Sequence, residues 1–294
     1  MTAGVYHAGE LAAQAKAGVS AEAARVGAIV RATVPAAAAA FLAERPMLVV
    51  GAADEEGRMW ASLLTGPPGF LRAEGGGDVI DVAAEPVAGD PLSATLRRGG
   101  KAGAITVDPG TRRRMRINGV AGPGPRGLRI VADQVYSNCP KYIQRRDLLA
   151  VRESERAETT VTSTLDTAGA VLVGSADTFF LATSSADGDC DTSHRGGDPG
   201  FVRVHDERTL SWPDYPGNTM MMTLGNLEQN RRAGLLFVGW SSGITLQLTG
   251  TAAVDWSGAS RETRFTVEQV RRTAGASPLR WGEPELSRFN PAVT

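Results

Sequence analysis

The residues of this chain that are best suited to binding or catalysis lie in one short segment, Ser193-His194-Arg195-Gly196. An arginine offers a planar pair of donors that matches phosphate, a serine adds a hydroxyl, and glycines let backbone N–H groups approach an anion. The segment therefore predicts an anion site. His194 is the single candidate acid or base in it, with a plain hydrogen-bonding role as the alternative. The alternative for the arginine is a surface position, paired with one of the nearby acids, which are Asp189, Asp191 and Asp198.

Two further polar segments could complete such a site. One follows the next strand and combines flat aromatic faces with polar groups, in Trp212, Asp214, Tyr215 and Asn218. Its prolines suit a rigid turn at a strand end, so a hairpin loop with packed aromatic rings is the alternative. The other lies near the middle of the chain and contains Asn138, Lys141, Tyr142 and Gln144. Cys139 has no evident histidine partner, so no catalytic thiol is predicted.

A basic stretch over residues 111–117 alternates arginines with apolar residues. Alternation of this kind predicts a strand with one face toward the core. Arg114 and Arg116 then either face solvent or face a phosphate, and the sequence leaves both open.

Composition excludes several classes of protein. The chain has 294 residues with 31 Lys+Arg against 32 Asp+Glu, so its formal charge is −1 and no basic excess points to nucleic acid. With only two cysteines and three histidines, the chain has too few of these residues for us to expect a disulfide framework or a metal site. No apolar run reaches the roughly 18 residues of a membrane span, and Glu10 stands where a signal peptide would be apolar. We therefore expect a cytoplasmic protein that binds neither nucleic acid nor membrane.

The chain matches itself at an offset of 131 positions, pairing residues 66–72 with 197–203, 101–107 with 232–238, and 117–121 with 248–252. Each copy holds about six short strand-like segments separated by Gly, Pro and Asp turns, which favours a small antiparallel barrel. Two such units can pack on each other as subunits of a dimer do. The predicted domains are a helical extension over 1–40, a first barrel over 41–150, a linker over 151–164 and a second barrel over 165–294.

The two copies differ where chemistry is expected. His194 and Arg195 of the second copy align with Leu63 and Leu64 of the first. One copy therefore carries a cationic strand end and the other an apolar one, which predicts a single binding half.

These motifs together resemble the pyridoxamine 5′-phosphate oxidase-like family of FMN-binding split barrels, in its tandem two-barrel form. The resemblance rests on residues 192–204, 212–218, 223–227 and 246–252, and in the first half on 60–70, 112–119 and 138–144. It implies a mainly β fold, two tandem six-stranded split β-barrels behind an N-terminal helical extension, with FMN at their interface.

Residue by residue, the resemblance implies an FMN site of four parts. Ser193 and Arg195, with His194 and Gly196 beside them, match the early phosphate-contacting strand. Asn218 lies near the later phosphate contacts. The strand that lines the flavin is matched by Trp212, Asp214 and Tyr215, while Asn138, Lys141, Tyr142 and Gln144 would reach in from the first barrel. Residues 201–205 lack the lysine that the vitamin oxidases carry, so the vitamin is not implied as substrate.

We therefore expect an FMN-dependent oxidoreductase with one FMN per chain, held mainly by the second barrel. Its partners would be a small-molecule substrate and a nicotinamide or protein electron donor, within an intrachain pseudo-dimer; further pairing into a homodimer stays open. One alternative is a flavin or haem carrier without turnover, and for haem His194 or His7 would have to be the ligand. The others are a deazaflavin in place of FMN and a structural duplicate with a degenerate site.

Overall fold

Two antiparallel sheets with the same topology make up most of this computed structural model, which describes residues 4–137, 139–153, 156–217, 219–258 and 261–293. The helices are α1 (Ala8–Lys16), α2 (Ser20–Gly27), α3 (Ala36–Ala43), α4 (Ser93–Arg98), α5 (Thr167–Gly174) and α6 (Met222–Gln229). The strands of the first half are β1 (Met47–Ala53), β2 (Met59–Thr65), β3 (Leu71–Glu74), β4 (Val79–Val82), β5 (Gly100–Asp108), β6 (Arg113–Gly124) and β7 (Gly127–Ser137). Those of the second are β8 (Leu148–Val151), β9 (Glu158–Thr162), β10 (Thr178–Ser184), β11 (Cys190–Gly196), β12 (Arg203–Val204), β13 (Thr209–Pro213), β14 (Arg232–Val238), β15 (Thr245–Asp255), β16 (Glu262–Ala274) and β17 (Leu279–Trp281).

The strand orders show the internal duplication directly. The first sheet runs β2-β1-β5-β6-β7-β4-β3, and the second runs β11-β10-β14-β15-β16-β13-β12. Even the irregularities repeat, because the β6–β7 ladder shifts register at Asn118/Gly119 and the β15–β16 ladder at Thr249/Gly250. The predicted two-barrel fold is confirmed. The first sheet has one strand more than the six expected, because short β3 forms a hairpin with β4. The second has two more, because β12 forms a hairpin with β13 and β9 pairs with β16.

Three apolar clusters hold the barrels together and to each other. Each barrel has its own core, one around Trp60 and the other around Trp212. A third cluster draws on both barrels, with Val49 of β1 against Phe180 of β10. Both faces of β1 and β10 are therefore covered, which explains why these strands are buried along almost their whole length. Truncating such a buried aromatic residue to alanine costs about 3–5 kcal/mol.

The barrels approach so closely that only glycine fits at some crossings. A Cβ on Gly103 would lie 2.7 Å from the Asp191 Cα, and one on Gly234 would lie 2.6 Å from the Met59 carbonyl oxygen. The interface between the two halves of the chain is thus a packed surface, and the strand ends around it are fixed in position.

The N-terminal segment is helical and lies against both barrels. The sequence suggests that Pro35 ends or kinks a helix; in the structure it caps the start of α3, a position where a missing N–H costs nothing. Helix α1 packs on α6, where a Cβ on Gly9 would meet the Gly225 carbonyl oxygen at 2.3 Å. In the segment predicted as a linker, β9 pairs with β16. No helix in the described ranges is long and apolar enough to cross a membrane.

Candidate functional site

A pocket lies where the two barrels meet at one end of their strands. Its lining comes from the start of β6, from the loop after β7, from the end of β11 and from the loop after β13, with Arg114, Lys141, Tyr142, Arg195 and Tyr215 among the contributors. We call it the interbarrel pocket. Its volume of about 60 Å³ corresponds to roughly four or five water molecules. It has room for the anionic end of a ligand, and a larger ligand must extend beyond it.

Arg114 is the central cation of this pocket. One terminal guanidinium nitrogen lies 3.3 Å from His194 Nδ1, and the other donates to the Cys139 carbonyl oxygen at 2.9 Å. Its Nε is buried and has no hydrogen-bond partner. Across the described ranges no carboxylate lies within salt-bridge distance of Arg114. Burial, reinforced by the charges of Arg116 and Arg195, lowers the pKa of Arg114 to about 9, so the group stays protonated at neutral pH and its charge is poorly compensated.

Arg195 faces Arg114 from the second barrel. Its guanidinium pairs with the Asp214 carboxylate at 2.7 Å, and the other oxygen of Asp214 accepts from Arg261 at 3.0 Å. The acid that pairs with Arg195 is therefore none of the three that lie near it in sequence. Two cations share one carboxylate here, so this side of the pocket also has positive charge in excess. The Arg195 Nε is likewise buried without a partner.

Arg116 lies next to the pocket but is neutralised. It pairs with the buried Asp191 at 3.0 Å, and Asp191 also accepts from the Tyr136 hydroxyl at 2.8 Å and from Thr223 at 3.1 Å. Although burial opposes the charge of Arg116, the Asp191 carboxylate raises the pKa of that guanidinium. This network supports the floor of the pocket, although the Arg116 Nε is buried without a partner, and it leaves Arg114 as the uncompensated charge above it.

His194 is neutral in this environment. Burial, with the positive charges of Arg114, Arg116 and Arg195, lowers the pKa of His194 well below its ordinary value. Because a guanidinium can only donate, the His194 Nδ1 near Arg114 must accept, and the proton resides on Nε2. The ring is thus a neutral hydrogen-bond donor through Nε2, and its protonation to an acid is strongly opposed.

Aromatic residues and a tight backbone crossing form the wall of the pocket. The rings of Tyr142 and Tyr215 lie 5.2 Å apart at an angle of 43°. The Tyr142 hydroxyl donates to the Pro216 carbonyl oxygen at 2.8 Å, which links the loop after β7 to the second barrel. A Cβ on Gly196 would lie 2.0 Å from the Tyr142 carbonyl oxygen, so that crossing requires glycine. Lys141 also lines the pocket, with its Nζ 5.6 Å from the centre of the Phe289 ring.

The structure brings together six of the residues that the sequence singled out, and places others elsewhere. Ser193 is fully buried below the pocket, where it donates to the Leu181 carbonyl oxygen at 3.3 Å. Trp212 is part of the second core, with its ring 5.1 Å from that of Phe179. The Gln144 amide is used in buried hydrogen bonds that hold the C-terminal segment, including one from the Ser287 N–H at 2.7 Å. Asp214 pairs with Arg195 and is not part of the pocket lining. Asn138 and Asn218 lie outside the described residues. The pocket lining includes Lys141, Tyr142, His194, Arg195, Gly196 and Tyr215.

The residue that sequence reasoning undervalued is Arg114. The signal was present, because arginines that alternate with buried Met115 and Ile117 occupy one face of β6, and that face looks toward the second barrel. What the sequence did not reveal is that this face is covered. The barrel-to-barrel packing buries it and turns an ordinary exposed arginine pattern into a cationic pocket.

The matching position on the other side of the pseudo-dimer, which we call the closed side, lacks the cationic strand end. Leu63 and Leu64 occupy the register positions of His194 and Arg195. On the same side the partly buried Asp90 carboxylate accepts from Ser62 at 2.7 Å and from Gln247 at 3.1 Å. This side therefore carries an internal carboxylate, whereas the interbarrel pocket is cationic.

The residues present fit an anionic ligand such as the phosphate end of FMN. Three arginines of the pocket lining, Arg114, Arg116 and Arg195, each have a buried Nε without a hydrogen-bond partner, and these are donors that the protein itself does not satisfy. The excess of positive charge and the bidentate geometry of arginine match a phosphate.

Comparison with known proteins agrees with this fold. Residues 165–287 match the family model described as pyridoxamine 5′-phosphate oxidase. The matched segment covers the second barrel, and the resemblance seen in the sequence is confirmed. Among curated proteins, none matches the chain significantly.

Several solved structures are similar to single portions of the chain. A Clostridium acetobutylicum protein related to general stress protein 26, of the pyridoxinephosphate oxidase family, is 15% identical over 38% of this chain and 89% of its own, with a TM-score of 0.28. An FMN-binding protein of Syntrophomonas wolfei is 8% identical over 34% of this chain and 80% of its own, with a TM-score of 0.28. HupZ of Group A Streptococcus is 18% identical over 35% of this chain and 90% of its own, with a TM-score of 0.29.

Proposed function

We propose that this protein binds FMN in the interbarrel pocket and acts as an FMN-dependent oxidoreductase. The observation that carries the proposal is the Arg114 guanidinium, which is protonated and largely buried but has no carboxylate partner within the described residues. A buried charge without a counter-ion is costly, and proteins retain one where a ligand supplies the opposite charge. A phosphate ester with two negative charges answers that requirement.

Each pocket residue has a distinct part in this proposal. Arg114 and Arg195 would hold the phosphate from opposite barrels, and Nε2–H of neutral His194 would add a donor without a charge. The Tyr142 and Tyr215 rings lie at the pocket wall, where a flat ligand can pack against them. Lys141 offers a positive charge near the wall. Bound FMN would supply hydride or electron transfer, while the protein provides position and electrostatics.

A single FMN per chain follows from the difference between the two sides of the pseudo-dimer. On the closed side Leu63 and Leu64 offer no donors, and the Asp90 carboxylate would repel a phosphate. We propose that the duplication kept one site and filled the other. A small-molecule substrate and a nicotinamide or protein reductant complete the proposed reaction.

The histidine environments favour a flavin over haem. His7 caps α1, with Nδ1 accepting from the Gly9 N–H at 3.1 Å and Nε2 lying 2.9 Å from the Asn226 side-chain oxygen. His194 is surrounded by three guanidinium groups. Neither ring has the free, apolar setting that a haem ligand needs. A deazaflavin shares the phosphate chemistry, and cofactor identification would separate it from FMN.

Titration with FMN and with riboflavin tests the proposal, because the two differ only in the phosphate. We expect FMN to bind much more tightly than riboflavin at about one per chain, measured by quenching of flavin fluorescence. Charge-assisted hydrogen bonds contribute about 1.5–3 kcal/mol each, so Arg195→Gln should weaken FMN about tenfold to 100-fold and leave riboflavin nearly unchanged. Arg97→Gln, at an exposed position on α4, is the matched control. Equal affinity for both flavins would refute the phosphate assignment.

Turnover is tested separately on the FMN-loaded protein. Under anaerobic conditions NADH or NADPH should bleach the flavin absorbance near its long-wavelength maximum, and oxygen should restore it. FMN binding without reduction by either nucleotide or by a reduced protein donor would favour the carrier without turnover.

A further inference from the structure

A second cavity lies on the opposite side of Arg114 from the interbarrel pocket. It runs between the N-terminal helices and the ends of β6 and β7, and its lining includes Ile29, Arg31, Phe41, Arg113, Arg114 and Met115. We call it the arginine groove. Its volume of about 540 Å³ falls within the range of small-molecule sites, roughly 300–1,000 Å³. The Arg114 side chain is the partition between the two cavities.

The groove has a strong local charge in a chain that is nearly neutral. Four arginines line it, and its described lining contains no Asp or Glu, although the whole chain has a formal charge of −1. Arg112 is neutralised by Glu285 at 2.8 Å. Arg31 and Arg113 have no carboxylate within salt-bridge distance anywhere in the described ranges, and neither does Arg114. Three of the four positive charges are therefore uncompensated.

Apolar side chains form the floor beneath these charges. The Arg113 guanidinium carbon lies 4.7 Å from the centre of the Phe41 ring, and that of Arg45 lies 4.6 Å from the same ring. Met115 and Val135 are buried behind it, while Ile29 remains 44% exposed at the rim. Because the Phe41 ring is held by two guanidinium groups, Arg113 is restrained with its polar edge available to a ligand. This combination of cationic rim and flat apolar floor matches a particular chemical class.

We propose that the arginine groove is a second binding site, for a molecule with an oxyanion head group on a flat apolar body. Arg31 and Arg113 would bind the carboxylate or phosphate head, and the body would lie on Ile29 and Ala38, beside the Phe41 ring that the arginines cover. The role of this ligand as substrate rests on the proposed FMN site, because Arg114 would separate the two ligands by a single side chain. The binding itself does not depend on flavin.

Equilibrium binding of simple probes to the full chain without added flavin tests the groove. The probes are 1-naphthoate, 1-naphthyl phosphate and the neutral 1-naphthamide, followed by calorimetry at two salt concentrations. We expect the two anions to bind at least tenfold more tightly than the amide, and their affinity to fall with added salt. Arg113→Gln and Arg31→Gln should each weaken the anions at least fivefold. Arg97→Gln is the matched control and should bind them as the original protein does. The two anions together distinguish a preference for carboxylate from one for phosphate.

Competition and flavin content separate this proposal from the FMN proposal. Naphthoate should still bind when FMN is present in excess, and Arg113→Gln should keep its affinity for FMN. If the amide binds as well as naphthoate, or if neither arginine variant changes the affinity, the groove is not an anion site. Complete displacement of naphthoate by FMN would assign its binding to the interbarrel pocket and overturn the groove. Failure of FMN to bind, with naphthoate binding intact, would refute only the flavin.

Discussion

Replacing Arg114 with methionine should stabilise the ligand-free protein while it removes FMN binding. Methionine keeps most of the length of the side chain and removes the charge, so the change isolates the electrostatic effect. Arg114 is largely buried, with Arg116 and Arg195 nearby and no carboxylate partner among the described residues. Without a ligand, this charge is a net cost to the folded state. With a phosphate bound, the same charge is the principal contact.

The magnitude follows from the lowered pKa of Arg114. A fall from 12.5 to about 9 corresponds, at 1.36 kcal/mol per unit, to a ceiling of roughly 5 kcal/mol. Part of the side chain still contacts solvent, which screens the charge. The variant also loses the hydrogen bonds to the Cys139 carbonyl oxygen and to His194. We therefore expect a net gain of about 1–2 kcal/mol, or an increase of roughly 2–4 °C in the melting temperature of a chain this long.

Thermal unfolding with and without ligand is the assay. Saturating FMN at 100 times its dissociation constant should stabilise the original protein by about 2.7 kcal/mol and leave Arg114→Met unchanged. The two melting temperatures should then change order when FMN is added. Arg97→Gln should follow the original protein in both conditions. If Arg114→Met melts lower than the original protein without ligand and still responds to FMN, then Arg114 is a structural residue and the reasoning is refuted.

Three further predictions concern other parts of the molecule. Burial raises the pKa of Glu10 to about 8, so the folded state holds a proton that the unfolded state releases above about pH 4.5. The free energy of unfolding should therefore fall as the pH rises from 5 to 8. In urea unfolding, Glu10→Gln should show a fall that is smaller by at least 1 kcal/mol, and an unchanged pH dependence would contradict the prediction. Cys139 is exposed at the pocket, whereas burial raises the pKa of the Cys190 thiol to about 12. Iodoacetamide should therefore modify Cys139 first, and FMN should slow that reaction at least fivefold. Mass spectrometry of the two cysteine-containing peptides measures both rates. Trp212→Phe should destabilise the protein by about 1–3 kcal/mol through lost core packing, with FMN affinity within twofold of the original; a large loss of FMN affinity would place Trp212 in the site after all.

Sequence periodicity was sufficient to predict two antiparallel barrels because the duplication is encoded locally. Each barrel repeats its turns and its buried strands, and the register shift at Asn118/Gly119 recurs at Thr249/Gly250. Turn residues and alternation depend on neighbours in the chain, so they can be read without knowing the tertiary structure. The effect of Pro35 could not be predicted in this way, because a proline can either end one helix or begin the next. Only the packing of α3 on the first barrel determines that Pro35 begins a helix.

The site was harder to predict because its residues are brought together by packing between the barrels. Arg195 lies close in sequence to three acids, yet it pairs with Asp214 on a different strand. Trp212 and Gln144 have the residue types of a flavin site, but core packing and hydrogen bonds to the C-terminal segment use them instead. Residue type indicates what a side chain can do. Burial and the nearest opposite charge determine what it does, and both depend on the whole fold.

The two sides of the pseudo-dimer differ in whether their buried polar groups are satisfied, and the internal duplication of the chain accounts for this difference. On the closed side, Asp90 with Ser62 and Gln247 forms a network that is satisfied without a ligand. On the open side, Arg114 and Arg195 keep buried nitrogens without partners. A duplicated barrel needs only one functional site, so the other side is free to accumulate residues that stabilise the fold. The side that still carries an electrostatic cost is therefore the side where function is expected, and that inference does not depend on which ligand occupies it.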